Sequence, residues 1–187
     1  AAFDEKDHTP TMEADIAAQK APDNFWVQLV AAHLQREDSN RRRALLQRAE
    51  AIDPKSPWVR LALGELELDH EYASAALNRA DAVLADFPLF GPAHVLRVRA
   101  LDALGDRTAS LLAAENAFAR LNQVPLIAAE AVSASRRLDR TDEAIARARM
   151  AVALRFDDTN LRRSLATMLT DLGRIDDAAD QYRKILA

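Results

Sequence analysis

The chain has 187 residues, of which 49% are hydrophobic and 29% are charged, and it contains no cysteine. This composition excludes intrinsic disorder, disulfide-stabilised scaffolds and thiol nucleophiles. The net charge of −4 provides no general electrostatic attraction to nucleic acid or to an anionic membrane. Gly and aromatic residues are few while Ala, Leu, Arg and Glu are abundant, which favours helices over strands.

Small residues recur along the chain at a constant spacing of 34, at Ala76, Ser110, Ala144 and Ala178. The same step links a second set of small residues, Ala80, Ala114 and Ala148. Three similar turns precede the last three members of the first set: Leu104-Gly105-Asp106, Leu138-Asp139-Arg140 and Leu172-Gly173-Arg174. Because so many independent positions follow one period without gaps, the sequence contains an internal repeat.

One unit, residues 125–158, tests whether the period corresponds to a physical structure. Small residues recur in its first half at steps of three and four, at Ala128, Ala131, Val132 and Ser135. Thr141 then precedes two acids, which indicates an N-cap followed by a first helical turn that the helix dipole stabilises. We therefore expect an antiparallel helical pair over 125–138 and 141–154, with neighbouring pairs covering its apolar faces.

The period and the pattern resemble the tetratricopeptide repeat, a helix–turn–helix unit of about 34 residues. The best single match is Trp26-Val27-Gln28-Leu29, followed downstream by Ala49 and Ile52-Asp53-Pro54. The resemblance implies an all-α fold, a right-handed α-α superhelix of about five repeats with an extra N-terminal helix. It also implies a concave inner surface lined by the first helix of each pair. Four residues depart from the pattern: Arg42 stands where a small residue is expected, Asp139 replaces a turn glycine, and Asn122 and Phe156 replace the proline between repeats.

The expected domain organisation follows from this register. Residues 1–10 are expected to be disordered, and residues 11–187 to form a single array. The repeats are expected at 23–56, 57–90, 91–124, 125–158 and 159–187. The expected helices are 11–20, 24–36, 41–52, 57–69, 72–86, 92–104, 107–120, 125–138, 141–154, 159–172 and 175–186.

No motif in the sequence predicts catalysis, a metal site or a cofactor. The four histidines lack ligand spacing such as i, i+4 on one helix, so they are interpreted as structural or surface residues. Four isolated glycines do not make a phosphate-binding loop, and no serine has the context of a nucleophile elbow. We expect a protein that is not an enzyme and that has no catalytic residue and no cofactor.

Two basic clusters, Arg41-Arg42-Arg43 and Arg136-Arg137, raise the question of nucleic-acid binding. Acids are interleaved near both clusters and aromatic stacking partners are few, so no nucleic-acid partner is expected. No apolar run approaches the roughly 20 residues that span a bilayer, so no direct membrane insertion is expected. A soluble protein of the cytoplasm or the periplasm fits these features.

Carrying the repeat register onto this chain places a mixed polar set near the inner surface. Its members are Leu61, Glu65, Asp69, Arg99, Asp102, Arg136, Arg137, Asn160, Arg163 and Asp171. Family members that hold chaperone C-terminal tails use Lys and Asn on adjoining first helices. Here Val27, Ala31, Leu61 and Glu65 occupy the start of that clamp, so tail capture of that kind is rejected. The alternative interpretation of the set is a solvated polar surface without a ligand.

Two functional hypotheses remain. The first is a non-enzymatic scaffold that binds a protein or peptide segment in the concave groove. The second is a structural or interaction segment of a larger multidomain protein whose catalytic or membrane part lies outside this chain; the missing initial Met favours a fragment. The last helix carries Tyr182, Ile185 and Leu186 with no following helix to cover them, so self-association through the last repeat is also expected.

Overall fold

The computed structural model describes residues 9–122, 124–154 and 159–186, and in these ranges it contains eleven α-helices and no strand. The helices are α1 Pro10–Lys20, α2 Phe25–Leu34, α3 Ser39–Ile52, α4 Pro57–Asp69, α5 Ala73–Asp86, α6 Gly91–Ala103, α7 Arg107–Leu121, α8 Pro125–Arg137, α9 Thr141–Leu154, α10 Thr159–Asp171 and α11 Ile175–Leu186. The chain packs as two compact units, Ala1–Val83 and Leu84–Ala187. The all-α fold class is therefore confirmed.

The observed helix ends lie close to the expected ones, and capping side chains explain the shifted starts of α2 and α3. Helix α3 begins at Ser39 rather than at 41 because the Asp38 carboxylate accepts a hydrogen bond from the Arg41 amide at 2.8 Å. Helix α2 begins after Asn24, whose side chain accepts from the Val27 amide at 3.2 Å. Residues 1–8 of the expected disordered segment lie outside the described residues, and Pro10 already belongs to α1.

The first unit has a core built from consecutive helices α1 to α4. Small residues dominate the closest approaches, with Ala18 and Ala49 fully buried. The side chain of Gln28 on α2 is also fully buried, and its Nε2 donates to the carbonyl oxygens of Ala18 at 2.9 Å and Ala21 at 3.1 Å. Because the last carbonyls of a helix have no partner within that helix, Gln28 satisfies the end of α1 and ties α1 to α2.

Arg42 shows how this unit accommodates a large residue at a position where the repeat pattern expects a small one. Its side chain is only 16% exposed, and its guanidinium lies 3.8 Å from Glu65 and 3.6 Å from Asp69, both on α4. The aliphatic part of the side chain packs against the helices while the charge reaches two carboxylates. The departure from the pattern is therefore compensated by the acids of the next helix.

The second unit contains α6 to α11, and its core runs without interruption from Val95 to Ala178. Ala144 and Ala178, the small residues expected at tight helix contacts, are 0% and 3% exposed. The three similar turns share a left-handed residue: φ is 82° at Gly105, 56° at Asp139 and 71° at Gly173. The aspartate thus adopts the conformation that its glycine counterparts adopt without steric strain.

Within the described residues, no helix combines the length and the apolar composition needed to span a membrane.

Candidate functional site

An open groove of about 380 Å³ lies between the first helices α8 and α10 of the second unit. We call it the α8–α10 groove, and its lining residues are Pro125, Leu126, Ala129, Val132, Ser133, Arg136, Asn160, Leu161 and Ser164. Its space exists because the residues on successive turns of α8, Ala129 and Ser133, are small, as is Ser164 on α10. A side chain from another molecule can therefore enter between the two helices.

The lining changes in character along the groove. Leu126 and Pro125 stand at the start of α8, and Leu126 is 46% exposed, so this end offers an apolar contact surface. Arg136 lies near the end of α8 and supplies a cation. Arg163 is exposed on α10, one helical turn after Asn160. The groove thus combines an apolar end with hydroxyl, amide and guanidinium groups.

Most of the charged side chains on the neighbouring first helices α6 and α8 form ion pairs. The Nε of Arg99 donates to Oε1 of Glu130 at 2.6 Å, and the side chain of Glu130 is only 9% exposed. The Nε of Arg137 lies 3.3 Å from Oδ2 of Asp102. Both pairs join α6 to α8, so these four side chains hold consecutive first helices together.

Arg136 and Arg163 differ from these paired arginines. Both are exposed, and in the part of the chain that the structure describes neither side chain has an ion pair or a hydrogen bond. The adjacent Arg162 is 8% exposed and donates to Oε1 of Gln181 on α11 at 3.3 Å. Two neighbouring arginines on α10 therefore point to different surroundings, and only Arg163 is available to a ligand.

The structure separates the ten residues that the sequence places at the inner surface into several groups. Arg136 and Asn160 line the α8–α10 groove, and Arg163 lies beside Asn160. Arg99, Asp102 and Arg137 are held in ion pairs. The remaining residues offer less: Leu61 is 7% exposed, Glu65 and Asp69 face Arg42, and Asp171 is exposed at the end of α10.

Several lining residues were missed by the sequence reasoning although the repeat period carried a signal for them. Leu126 and Ala129 precede Asn160 and Arg163 by 34 residues, so the same register assigns both pairs to one surface. Glu130 was not predicted as a site residue because it does not occupy the position one period after Arg99. That position is Ser133, and Glu130 lies one turn before it. The sequence signal for this ion pair is an acid that lies one helical turn from the position equivalent to an arginine of the preceding repeat.

A second groove, of about 440 Å³, lies between the second helices α7 and α9. Its lining residues are Glu115, Phe118, Ala119, Asn122, Glu143, Ala146, Arg147 and Met150. Arg147 donates hydrogen bonds to the carboxylates of Glu115 on α7 and Glu143 on α9, and these three side chains form the polar wall of the second groove. Burial alone would raise the pKa of Glu143, but hydrogen bonds from Arg140 and Arg147 outweigh it and lower that pKa below its ordinary value.

In the described parts of the chain, no three His, Asp or Glu side chains converge in a way that could hold a metal ion.

Comparison with known sequences finds a family match within the first unit. A sequence model of the tetratricopeptide repeat (TPR) matches residues 23–66, which include the segment Trp26-Val27-Gln28-Leu29. Residues 23–66 therefore carry a TPR sequence.

Solved TPR structures share this fold over most of their length. TTC0263, a thermophilic TPR protein of Thermus thermophilus, is 23% identical, with a TM-score of 0.67 and coverage of 90% of both chains. PilW, a type IV pilus biogenesis factor, is 15% identical with a TM-score of 0.75, over 94% of this chain and 82% of its own. YrrB, described as a TPR protein with an unusual peptide-binding site, is 12% identical with a TM-score of 0.58, over 94% of this chain and 92% of its own.

One curated relative is much longer than this chain. Cellulose synthase 2 operon protein C of Komagataeibacter xylinus is 31% identical over 153 residues, which are 69% of this chain and 12% of the relative. The chain therefore spans only a small part of that protein's length. At the level of the family, TPR proteins are scaffolds for protein–protein interaction and are generally not catalysts.

Proposed function

We propose that this chain is a non-enzymatic TPR scaffold that binds a peptide segment of a protein partner in the α8–α10 groove. The observation that carries the proposal is the open space of about 380 Å³ between two first helices, with an apolar end at Leu126 and polar groups beyond it. This volume lies within the range of roughly 300–1,000 Å³ that is typical of ligand sites. The peptide-binding site named in the description of YrrB adds support from the same fold.

The proposal is tested by filling the groove. Ser133→Trp places an indole in the space between α8 and α10, whereas Ala153→Trp makes a similar change at an exposed position of α9 that lies outside both grooves. Peptides selected from a random phage-displayed library on the wild-type protein are then measured against both variants by fluorescence anisotropy. We expect a loss of at least about tenfold in affinity, or about 1.4 kcal/mol, for Ser133→Trp alone. Selected peptides that bind Ser133→Trp and wild type equally would remove the groove from the proposal.

The second hypothesis, an interaction segment within a larger multidomain protein, is supported by the relative from Komagataeibacter xylinus. The match to that protein covers 69% of this chain but 12% of the relative. In that arrangement the TPR array positions a partner for a catalytic or membrane part carried elsewhere. Reading the complete gene tests this hypothesis directly, and a gene that encodes only these repeats would contradict it.

Self-association through α11 is supported by an exposed apolar stripe. Ile175, Tyr182 and Leu186 are 59%, 42% and 87% exposed, and their spacings of seven and four residues put them on one face of the helix. One period earlier, Ala148 and Val152 stand at the positions of Tyr182 and Leu186. They are 0% and 8% exposed, because α10 packs against α9. The corresponding face of α11 has no such cover among the described residues.

The charge pattern of α11 favours a second copy as the cover. Acids occupy its first turn and bases its last turn, so two antiparallel copies place Asp176 of one opposite the basic end of the other. We expect the sedimentation coefficient of the wild type to rise with concentration, and Tyr182→Glu combined with Leu186→Glu to prevent the rise. Met150→Glu, at a 52% exposed position of α9, is the control for an added acid. A wild type that remains monomeric at high concentration would contradict this proposal.

A further inference from the structure

Among the described residues of the second unit, two arginines beside the α8–α10 groove have no ionic partner. Helices α8 and α10 together carry two acids, Glu130 and Asp171, and four arginines. Arg99 neutralises Glu130 across 2.6 Å, and Asp102 holds Arg137 at 3.3 Å. Arg162 is directed to Gln181 on α11. On the described parts of α8 and α10, the cations that remain for a ligand are therefore Arg136 and Arg163.

Among the described residues, the acid that remains, Asp171, forms no ion pair with Arg136 or Arg163. Asp171 is the last residue of α10, about two turns beyond Arg163, and it is exposed to solvent. Arg136 itself lines the groove, and Arg163 follows the lining residue Asn160 by one turn. A ligand that lies along the groove from Leu126 to Arg136 thus passes an apolar surface and the guanidinium of Arg136, and Arg163 stands one turn from the lining residue Asn160.

Because both free cations are arginines, they favour ligands with a particular kind of anionic group. A guanidinium presents its N–H donors in a planar fork that matches a carboxylate in a bidentate arrangement. The hydroxyl groups of Ser133 and Ser164 line the same groove, and Leu126 is 46% exposed at its apolar end. These groups fit a peptide that carries Asp or Glu side chains next to one apolar side chain.

We infer that the α8–α10 groove selects an acidic peptide segment, with its carboxylates at Arg136 and Arg163 and an apolar side chain at Leu126. This inference rests on the proposed function, because it names the class of peptide that the groove takes. It concerns side-chain carboxylates along the segment rather than a C-terminal carboxylate. The preference is electrostatic in part, so it weakens as salt concentration rises.

The test uses two pools of fluorescein-labelled random peptides of about ten residues, a length that spans a helix-lined groove of this kind when extended. The pools are identical except that alternate positions hold Glu in one pool and Gln in the other, and both pools keep Leu at one end. We expect the wild type to bind the Glu pool at least about tenfold more tightly than the Gln pool. We expect Arg136→Ala combined with Arg163→Ala to bind the two pools equally.

A matched control removes the same charge elsewhere: Arg107→Ala with Arg120→Ala, two exposed positions of α7, should retain the preference. If the wild type binds both pools equally and Ser133→Trp binds neither, the acidic preference would be overturned while the proposed peptide-binding function would remain intact. A preference for Glu that survives the loss of Arg136 and Arg163 would also overturn the inference. Binding of the Glu pool that is unchanged in Ser133→Trp would instead count against the groove itself.

Discussion

Arg99 and Glu130 join two consecutive first helices through a hydrogen bond of 2.6 Å between Nε and Oε1. The two side chains differ sharply in exposure, at 50% for Arg99 and 9% for Glu130. The carboxylate has therefore given up most of its hydration and depends on the guanidinium to compensate its charge. The pair acts as a polar link inside the second unit, on the same helix that lines the α8–α10 groove.

Arg99→Ala tests this dependence. The substitution leaves a largely buried carboxylate without its hydrogen-bond donor, and the free energy of unfolding should fall by about 1–3 kcal/mol. Urea denaturation measures the change. Replacing both residues, as Arg99→Ala with Glu130→Gln, should recover part of the loss because no charge is left uncompensated. An Arg99→Ala variant as stable as Arg107→Ala, which removes an exposed arginine of α7, would contradict the role of the pair.

Ala144→Leu tests the packing between paired helices. Ala144 is 0% exposed in α9, so three additional carbon atoms have no free space, and the free energy of unfolding should fall by about 1–3 kcal/mol. Ala146→Leu is the matched control, since Ala146 is exposed on the same helix and the change there should stay within about 0.5 kcal/mol. Thermal melts of the two variants measure the difference, and equal melting temperatures would show that the register is wrong. Ala187, another neutral position suggested by the sequence, lies outside the described residues.

Asp139→Gly is expected to stabilise the protein. Asp139 has a φ of 56°, where its Gly counterparts have 82° and 71°, and a residue with a Cβ is strained in this region. Glycine removes that strain but gains freedom in the unfolded chain, so the net increase in the free energy of unfolding should be below about 1 kcal/mol. Urea denaturation detects it. Asp139→Ala keeps the Cβ and should show no gain; an equal gain for both variants would point to the loss of the charge instead.

The stability contributed by Glu143 should disappear in acid. Hydrogen bonds from Arg140 and Arg147 lower its pKa in the folded state below the ordinary value of 4.5, so the folded protein binds this proton less readily than the unfolded chain. The contribution is therefore present above pH 4.5 and is lost as the pH falls through the lowered pKa. Melting temperatures of wild type and Glu143→Gln should differ at neutral pH and converge in acid. Curves that stay parallel over this range would contradict the assignment.

Several helix ends could be predicted from the sequence because nearby residues specify them. Asp106, for example, accepts a hydrogen bond from the Ala109 amide at 2.9 Å and so starts α7 at the expected residue. The turn at Asp139 was recognisable because it repeats the position of Gly105 and Gly173. Capping and turn signals act over three or four residues, a distance that a sequence pattern records fully.

The candidate site could be predicted only in part. The repeat register brought Arg136, Asn160 and Arg163 to one surface, but it did not show that Arg99 and Arg137 are already paired. Which charges remain free depends on the spacing and rotation of neighbouring helices. The partners in such pairs are far apart in the sequence: Arg99 and Glu130 are separated by 31 residues. A pattern read within one repeat contains no information about that distance.

The buried amide of Gln28 has a consequence for the local opening of the chain. Its two bonds to the carbonyls of Ala18 and Ala21 fasten the last turn of α1, a region where helices ordinarily fray. That turn can unwind only when these bonds break, and Gln28 is itself fully buried within α2. Hydrogen exchange at the end of α1 should therefore occur together with exchange in α2, so that the two helices open as one cooperative unit.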